Sequence, residues 1–153
     1  PLDVVTLPVP HALCASVVFP HVDVPTRDAR QMIRSKIALK EAVTQWGNIA
    51  GLVAGLYSGD IGLIGRSMQD VLIEPTRAIL IPEFYEMRRL ALNAGAICFG
   101  ISGSGPSVFA FATDQETATK ITAAVREHLT DRGIGSNGYV SMINQEGPRA
   151  LSV

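Results

Sequence analysis

The stretch Ala96–Ala112, A-I-C-F-G-I-S-G-S-G-P-S-V-F-A-F-A, decides the fold. Ala96–Phe99 is a short apolar run, and Gly100–Pro106 is a Gly/Ser turn. In Ser107–Ala112, Val108, Ala110 and Ala112 alternate with Phe109 and Phe111. Apolar runs on either side of a glycine-rich turn read as strand–turn–strand. Beyond it, Asp114 stands where a carboxylate can cap a helix running to Arg132. Ala118, Ile121, Ala124, Val125 and Leu129 share one face of that helix, and Gly133 ends it. Tyr139–Ile143 reads as the last strand.

On the N-terminal side, Leu13–Phe19 is a β-branched apolar run closed by Pro20, which reads as the first strand. Pro20–Pro25 is a loop, and Thr26 is the expected cap of a short helix from Arg27 to about Ile33. Apolar positions from about Ser35 to Tyr57 recur at helical spacing, with Gly59 just past the end. Gly47, Gly51 and Gly55 lie four apart inside that helix, which points to close packing on another element. Asp60 caps a further helix, Ile61–Gln69. Pro75 and Pro82 suit first helical positions, giving a turn to about Leu80 and a helix over Glu83–Asn93 ended by Gly95. The order is therefore βαββαβ. That predicts an α+β domain, a ferredoxin-like antiparallel four-stranded sheet with helices on one face and extra helices in the first crossover.

The chain has 153 residues and a formal net charge of −1, with 13 basic and 14 acidic residues. One domain over residues 1–153 fits that length. Apolar residues make up 47% and charged residues 18%, enough to bury a core and too little charge for a disordered chain. The balanced charge leaves no footprint for nucleic acid, so no nucleic-acid partner is expected. No apolar run approaches a bilayer's thickness, so no membrane partner is expected and the reading is cytoplasmic. Cys14 and Cys98 both sit in apolar runs and read as buried thiols rather than a disulfide. The chain opens on Pro-Leu-Asp without an initiator Met, which suggests that something preceding Pro1 has been removed.

Chemistry concentrates in few places. In Gly100–Pro106 three glycines alternate with Ile101, Ser102 and Ser104. Such a turn can expose successive amides to an anion, or can simply satisfy hairpin geometry. No Lys follows, so it is not a Walker loop. Thr26 and Arg30 are four apart and share a helix face. Arg77, in Glu74-Pro75-Thr76-Arg77, reads as a cation just inside a helix start, where the dipole disfavours it. A guanidinium is the natural fork for a carboxylate, though solvated surface arginines would look the same. His11, His21 and His128 are scattered, and no metal-ligand spacing is present, so no metal site is expected in this chain. His128 reads as a cation favoured by the late turns of its helix. Asp23, Asp28, Asp60 and Asp70 read as caps or surface groups. No catalytic residue can be assigned from proximity alone.

Taken together, these segments resemble the C-terminal domain of the GHMP small-molecule kinases, and within them the homoserine kinases. Gly100–Pro106 followed by S-V-F-A-F is similar to the superfamily's third motif. Val24-Pro25-Thr26 with Arg30, and Asp70 through Glu74-Pro75 to Arg77, are similar to two homoserine kinase segments. Gly147-Pro148-Arg149 is similar to the closing Gly-Ala-Arg, with Pro in place of Ala. The resemblance covers essentially the whole chain.

It implies transfer of the ATP γ-phosphate to the hydroxyl of L-homoserine, within threonine synthesis. It implies that Arg30 and Arg77 hold the substrate carboxylate, that Gly103 lies close to the substrate and that Thr26 lies near the reacting centre. Gly100, Ser102, Gly103, Ser104 and Gly105 become a phosphate-proximal loop. ATP and Mg²⁺ are implied as cofactors, held mainly by an N-terminal domain whose Gly/Ser-rich loop and acidic ligand do not occur in this chain. The sequence thus looks like the C-terminal half of a two-domain enzyme, cut just before Pro1 and inactive alone. Its expected partners are L-homoserine, that N-terminal domain and, through surface the domain would cover, a second copy in a homo-oligomer. Two alternatives stand beside this reading: another GHMP kinase, acting on mevalonate or a sugar, and a free-standing ferredoxin-like ligand-binding or regulatory module.

Overall fold

A computed structural model describes residues 3–24 and 32–146. The described residues form four strands: β1 (Cys14–Pro20), β2 (Cys98–Ile101), β3 (Val108–Ala112) and β4 (Ser136–Met142). Five α-helices join them: α1 (Leu39–Ser58), α2 (Ile61–Ser67), α3 (Glu74–Arg77), α4 (Phe84–Asn93) and α5 (Gln115–Asp131). A 3₁₀ turn, Ala78–Leu80, continues α3. The sheet order is β2-β3-β1-β4, and every neighbouring pair is antiparallel. This is the expected ferredoxin-like α+β arrangement, with α1, α2 and α3 inserted in the first crossover.

Alternation explains the layering. Cys14, Ser16 and Val18 of β1, and Val108, Ala110 and Ala112 of β3, are buried on one face. Ala118, Ile121, Val125 and Leu129 of α5, with Phe84, Met87 and Ala91 of α4, close over them. The one polar pair in this layer satisfies itself, since Ser16 and Thr122 share a hydroxyl–hydroxyl bond of 2.6 Å. Asp114 caps α5 by accepting from the Thr117 amide at 2.7 Å, and Asp60 caps α2 by accepting from the Leu63 amide at 2.8 Å. Both cysteines are buried, as their apolar settings indicated.

Several boundaries differ from the sequence reading. α1 starts at Leu39 rather than near Ser35, where Glu41 reaches back to the Ala38 amide. Glu83 lies outside α4 with φ 62°, so Pro82 does not open that helix. β2 reaches Ile101 because Gly100 and Ile101 still pair with Phe109 and Val108. β4 starts at Ser136 because Ser136 and Asn137 pair with Pro20 and Phe19. Most of the expected Arg27–Ile33 helix, and the Gly147-Pro148-Arg149 segment, lie outside the described residues. Among the described residues no helix is long and apolar enough to cross a membrane.

Candidate functional site

The turn between β2 and β3 opens into a cavity of about 190 Å³. Its walls come from three places: Gln45, Ile49 and Leu52 of α1; Asp70, Glu74 and Arg77 around α3; and Gly100, Gly103 and Phe109 of the hairpin. The side chains of α1 help to hold the second wall in place. Gln45 accepts the Val71 amide at 2.9 Å, and Asn48 donates to the Gln69 carbonyl at 2.9 Å. α2 also approaches closely. A Cβ on Gly65 would sit 2.6 Å from the Ile97 carbonyl oxygen, just ahead of β2.

The position of Arg77 follows from its own segment. Asp70 accepts the amides of Leu72, Ile73 and Glu74 at 2.8, 2.8 and 3.1 Å, which organises the start of α3. Arg77 then stands one turn further on, at the end of α3 rather than at its start. The dipole objection raised by the sequence does not apply, because a single turn running on into the 3₁₀ turn has no separated charged ends. Arg77 Nη1 donates to the Gly103 carbonyl at 2.9 Å, while its buried Nε has no hydrogen-bond partner among the described residues. A buried guanidinium N–H without an acceptor is costly unless a ligand supplies one.

Gly103 has φ 63° and Gly105 φ 80°, which glycine adopts without strain. A Cβ on Gly103 would meet nothing within 4 Å, so the turn is open on that side. Inside the turn, the Ser102 amide donates to the Ser107 carbonyl at 2.8 Å, and the Gly105 amide to the Ser102 carbonyl at 3.1 Å. The amides of Gly103 and Ser104 take no partner among the described residues.

Beneath Arg77, Glu74 is 8% exposed and pairs with Arg88 of α4. Burial pushes the Glu74 carboxyl above its ordinary value of 4.5, against the opposing pull of the Arg88 guanidinium and the Ile101 amide. A second cavity, of about 460 Å³, lies on the far side of Glu74, against Tyr85, Arg88, Leu92 and Cys98. Burial raises the Cys98 thiol to about 11, so it is an inert wall residue at neutral pH.

Of the residues singled out from sequence, Arg77, Gly100 and Gly103 meet in one cavity, and Ser102, Ser104 and Gly105 belong to the same turn. Thr26 and Arg30 lie outside the described residues. Sequence reasoning missed Gln45, Ile49, Phe109 and Arg88. No local pattern marks them, because they converge from three separate elements, Gln45 and Ile49 from α1, Phe109 from β3 and Arg88 from α4. Among the described residues no group of three or more His, Cys, Asp and Glu side chains is placed to hold a metal ion. The two carboxylates lining the cavity, Asp70 and Glu74, are already engaged by amides and by Arg88.

Known proteins resemble this arrangement. A homoserine kinase from Chlorobium phaeobacteroides (strain DSM 266 / SMG 266 / 2430) is 44% identical over 153 residues, which is 99% of this chain and 48% of the relative. A homoserine kinase from Xylella fastidiosa (strain 9a5c) is 39% identical over 147 residues, 96% of this chain and 46% of the relative. The crystal structure of homoserine kinase from Cytophaga hutchinsonii matches with a TM-score of 0.94 and 53% identity, over 97% of this chain and 47% of that one. A phosphomevalonate kinase from Streptococcus pneumoniae shares the fold at 15% identity, with a TM-score of 0.63 over 92% of this chain and 42% of that one. The chain thus spans about half the length of the curated relatives it matches. A family model described as "GHMP kinases C terminal" matches residues 52–131, from the middle of α1 to the end of α5. By that match and by its fold, the chain belongs to the GHMP kinase C-terminal family.

Proposed function

We propose that this chain is the C-terminal, substrate-side half of a homoserine kinase, whose whole transfers the γ-phosphoryl group of ATP to the hydroxyl of L-homoserine. The observation that carries the reading is the 53% identity at a TM-score of 0.94 with the Cytophaga hutchinsonii homoserine kinase. ATP supplies the phosphoryl group. The substrate hydroxyl oxygen gains the bond to phosphorus, the bond to the bridging oxygen of ADP breaks, and the hydroxyl proton is released. What phosphoryl transfer asks of a protein is positioning and charge stabilisation.

Arg77 supplies positioning. With Nη1 held by the Gly103 carbonyl, its guanidinium is fixed at the cavity wall as a fork for the substrate carboxylate. Arg30 and Thr26 join it in this reading, as the resemblance implies. The free amides of Gly103 and Ser104, with the hydroxyls of Ser102 and Ser104, suit a loop that lies beside phosphate oxygens. In this reading the nucleotide and Mg²⁺ belong mainly to an N-terminal domain, because the carboxylates lining this cavity are already engaged.

The test is ADP release by the intact protein with L-homoserine, mevalonate and galactose offered in turn. Turnover with homoserine alone is expected; preference for mevalonate or galactose overturns the reading. The 153-residue chain by itself is expected to give no turnover. In the intact protein, Arg77→Ala should weaken homoserine use by about 2–4 kcal/mol in kcat/KM while the KM for ATP stays within about twofold. An unchanged KM for homoserine removes Arg77 from the site.

A further inference from the structure

α3 is a single turn of helix, too short to hold its own geometry. It is fastened to the hairpin at both ends. At its C-terminal end Arg77 donates to the Gly103 carbonyl. At its N-terminal end Glu74 pairs with the Arg88 guanidinium, which also donates to the Phe99 carbonyl of β2 at 3.2 Å. Arg88 is in turn fixed by its own helix and lies 5.3 Å from the centre of the Phe84 ring. The second oxygen of Glu74 lies 3.2 Å from where a Cβ on Gly100 would stand, so the carboxylate fills the space against β2 that a side chain would take. Removing this pair leaves the bond from Arg77 to the Gly103 carbonyl as the hydrogen bond that ties α3 to the hairpin among the described residues, while Asp70 still caps its start.

We infer that Glu74 and Arg88 are positioning residues: their ion pair clamps α3 to β2 and so sets the placement of Arg77 over the Gly103 turn. Neither residue need touch substrate. Surface ion pairs contribute little, but this one is buried at its Glu74 end and bridges α3, α4 and β2. The kinetic consequence rests on the proposed role of Arg77; the geometric one does not.

The test uses the intact protein. Glu74→Ala should raise the KM for L-homoserine at least tenfold while the KM for ATP stays within twofold. Glu74→Gln, which keeps one acceptor for Arg88, should recover part of that loss. Arg88→Lys, which cannot span Glu74 and the Phe99 carbonyl together, should resemble Glu74→Ala in kind. If Glu74→Ala does not fold, the other two variants carry the test. A crystal structure of Glu74→Gln or Arg88→Lys should show the contact between Arg77 and Gly103 lengthened beyond hydrogen-bond distance. If Arg77 stays in place, or if melting temperature falls with both KM values unchanged, the clamp is only structural and the inference fails. Displacement of Arg77 in a protein that does not phosphorylate homoserine would sustain the clamp and overturn the proposed function instead.

Discussion

The two longest helices, α1 and α5, look alike in sequence and behave differently in the structure. α5, with 17 residues, buries Ala118, Ile121, Thr122, Val125 and Leu129 against the sheet. α1, with 20 residues, buries only Ala42 and Gly55. Leu39, Val43, Trp46, Ile49 and Tyr57 of α1 are each more than half exposed. Hydrophobic periodicity is the same signal in both. What it reports is an apolar face, not the surface that covers it. The cover depends on long-range topology: α5 returns across β1, β3 and β4, whereas α1 packs chiefly on the seven-residue α2 and otherwise borders the cavity.

The widest gap between the helices is expected in side-chain truncation. Leu129 is 0% exposed, so Leu129→Ala should destabilise the fold by about 3 kcal/mol through lost burial and a residual cavity. Trp46→Ala removes a larger side chain that is 60% exposed, and should change stability by no more than about 0.5 kcal/mol. Urea unfolding followed by far-ultraviolet circular dichroism measures both without relying on the lost tryptophan. Equal destabilisation by the two would erase the contrast between the helices.

A smaller effect tests how the α1–α2 pair meets the sheet. Gly65→Ala would place its Cβ 2.6 Å from the Ile97 carbonyl oxygen, a backbone atom that cannot rotate away. The expected loss is about 1–3 kcal/mol, despite the better helix propensity of alanine. A neutral result in the same urea assay would mean that α2 does not press on β2, and that the cavity wall is looser than its geometry indicates.

The sheet-and-α5 half was legible for local reasons. Alternating Val108, Ala110 and Ala112 marked β3, and Asp114 marked the start of α5, because side-chain period and capping are properties of neighbouring residues. Ser136–Gly138 escaped detection because nothing in Ser-Asn-Gly favours a strand; those residues are extended because β1 pairs with them. The candidate site was half legible. Gly103 and Arg77 stood out as a glycine-rich turn and a misplaced cation. Arg88 did not, since its pairing with Glu74 joins residues 14 apart through a fold that no local pattern reveals.

The smallest expected effect carries the finest distinction, among three glycines that are equivalent on the sequence. Gly51 and Gly55 face α2, and a Cβ on Gly55 would come within 3.0 Å of the Ile64 backbone nitrogen. A Cβ on Gly47 would meet nothing within 4 Å. Only two of the three are therefore explained by close approach. Gly47→Ala should stabilise the fold by up to about 1 kcal/mol, because alanine narrows the unfolded ensemble and suits a helix interior. Gly55→Ala should forfeit that gain, since Ile64 must give way to admit the methyl group. The comparison needs only the difference between the two variants in urea midpoint at unchanged slope. If Gly47→Ala destabilises as much as Gly55→Ala, then the outer face of α1 is covered in solution, and its exposed apolar side chains are part of an interface rather than a free surface.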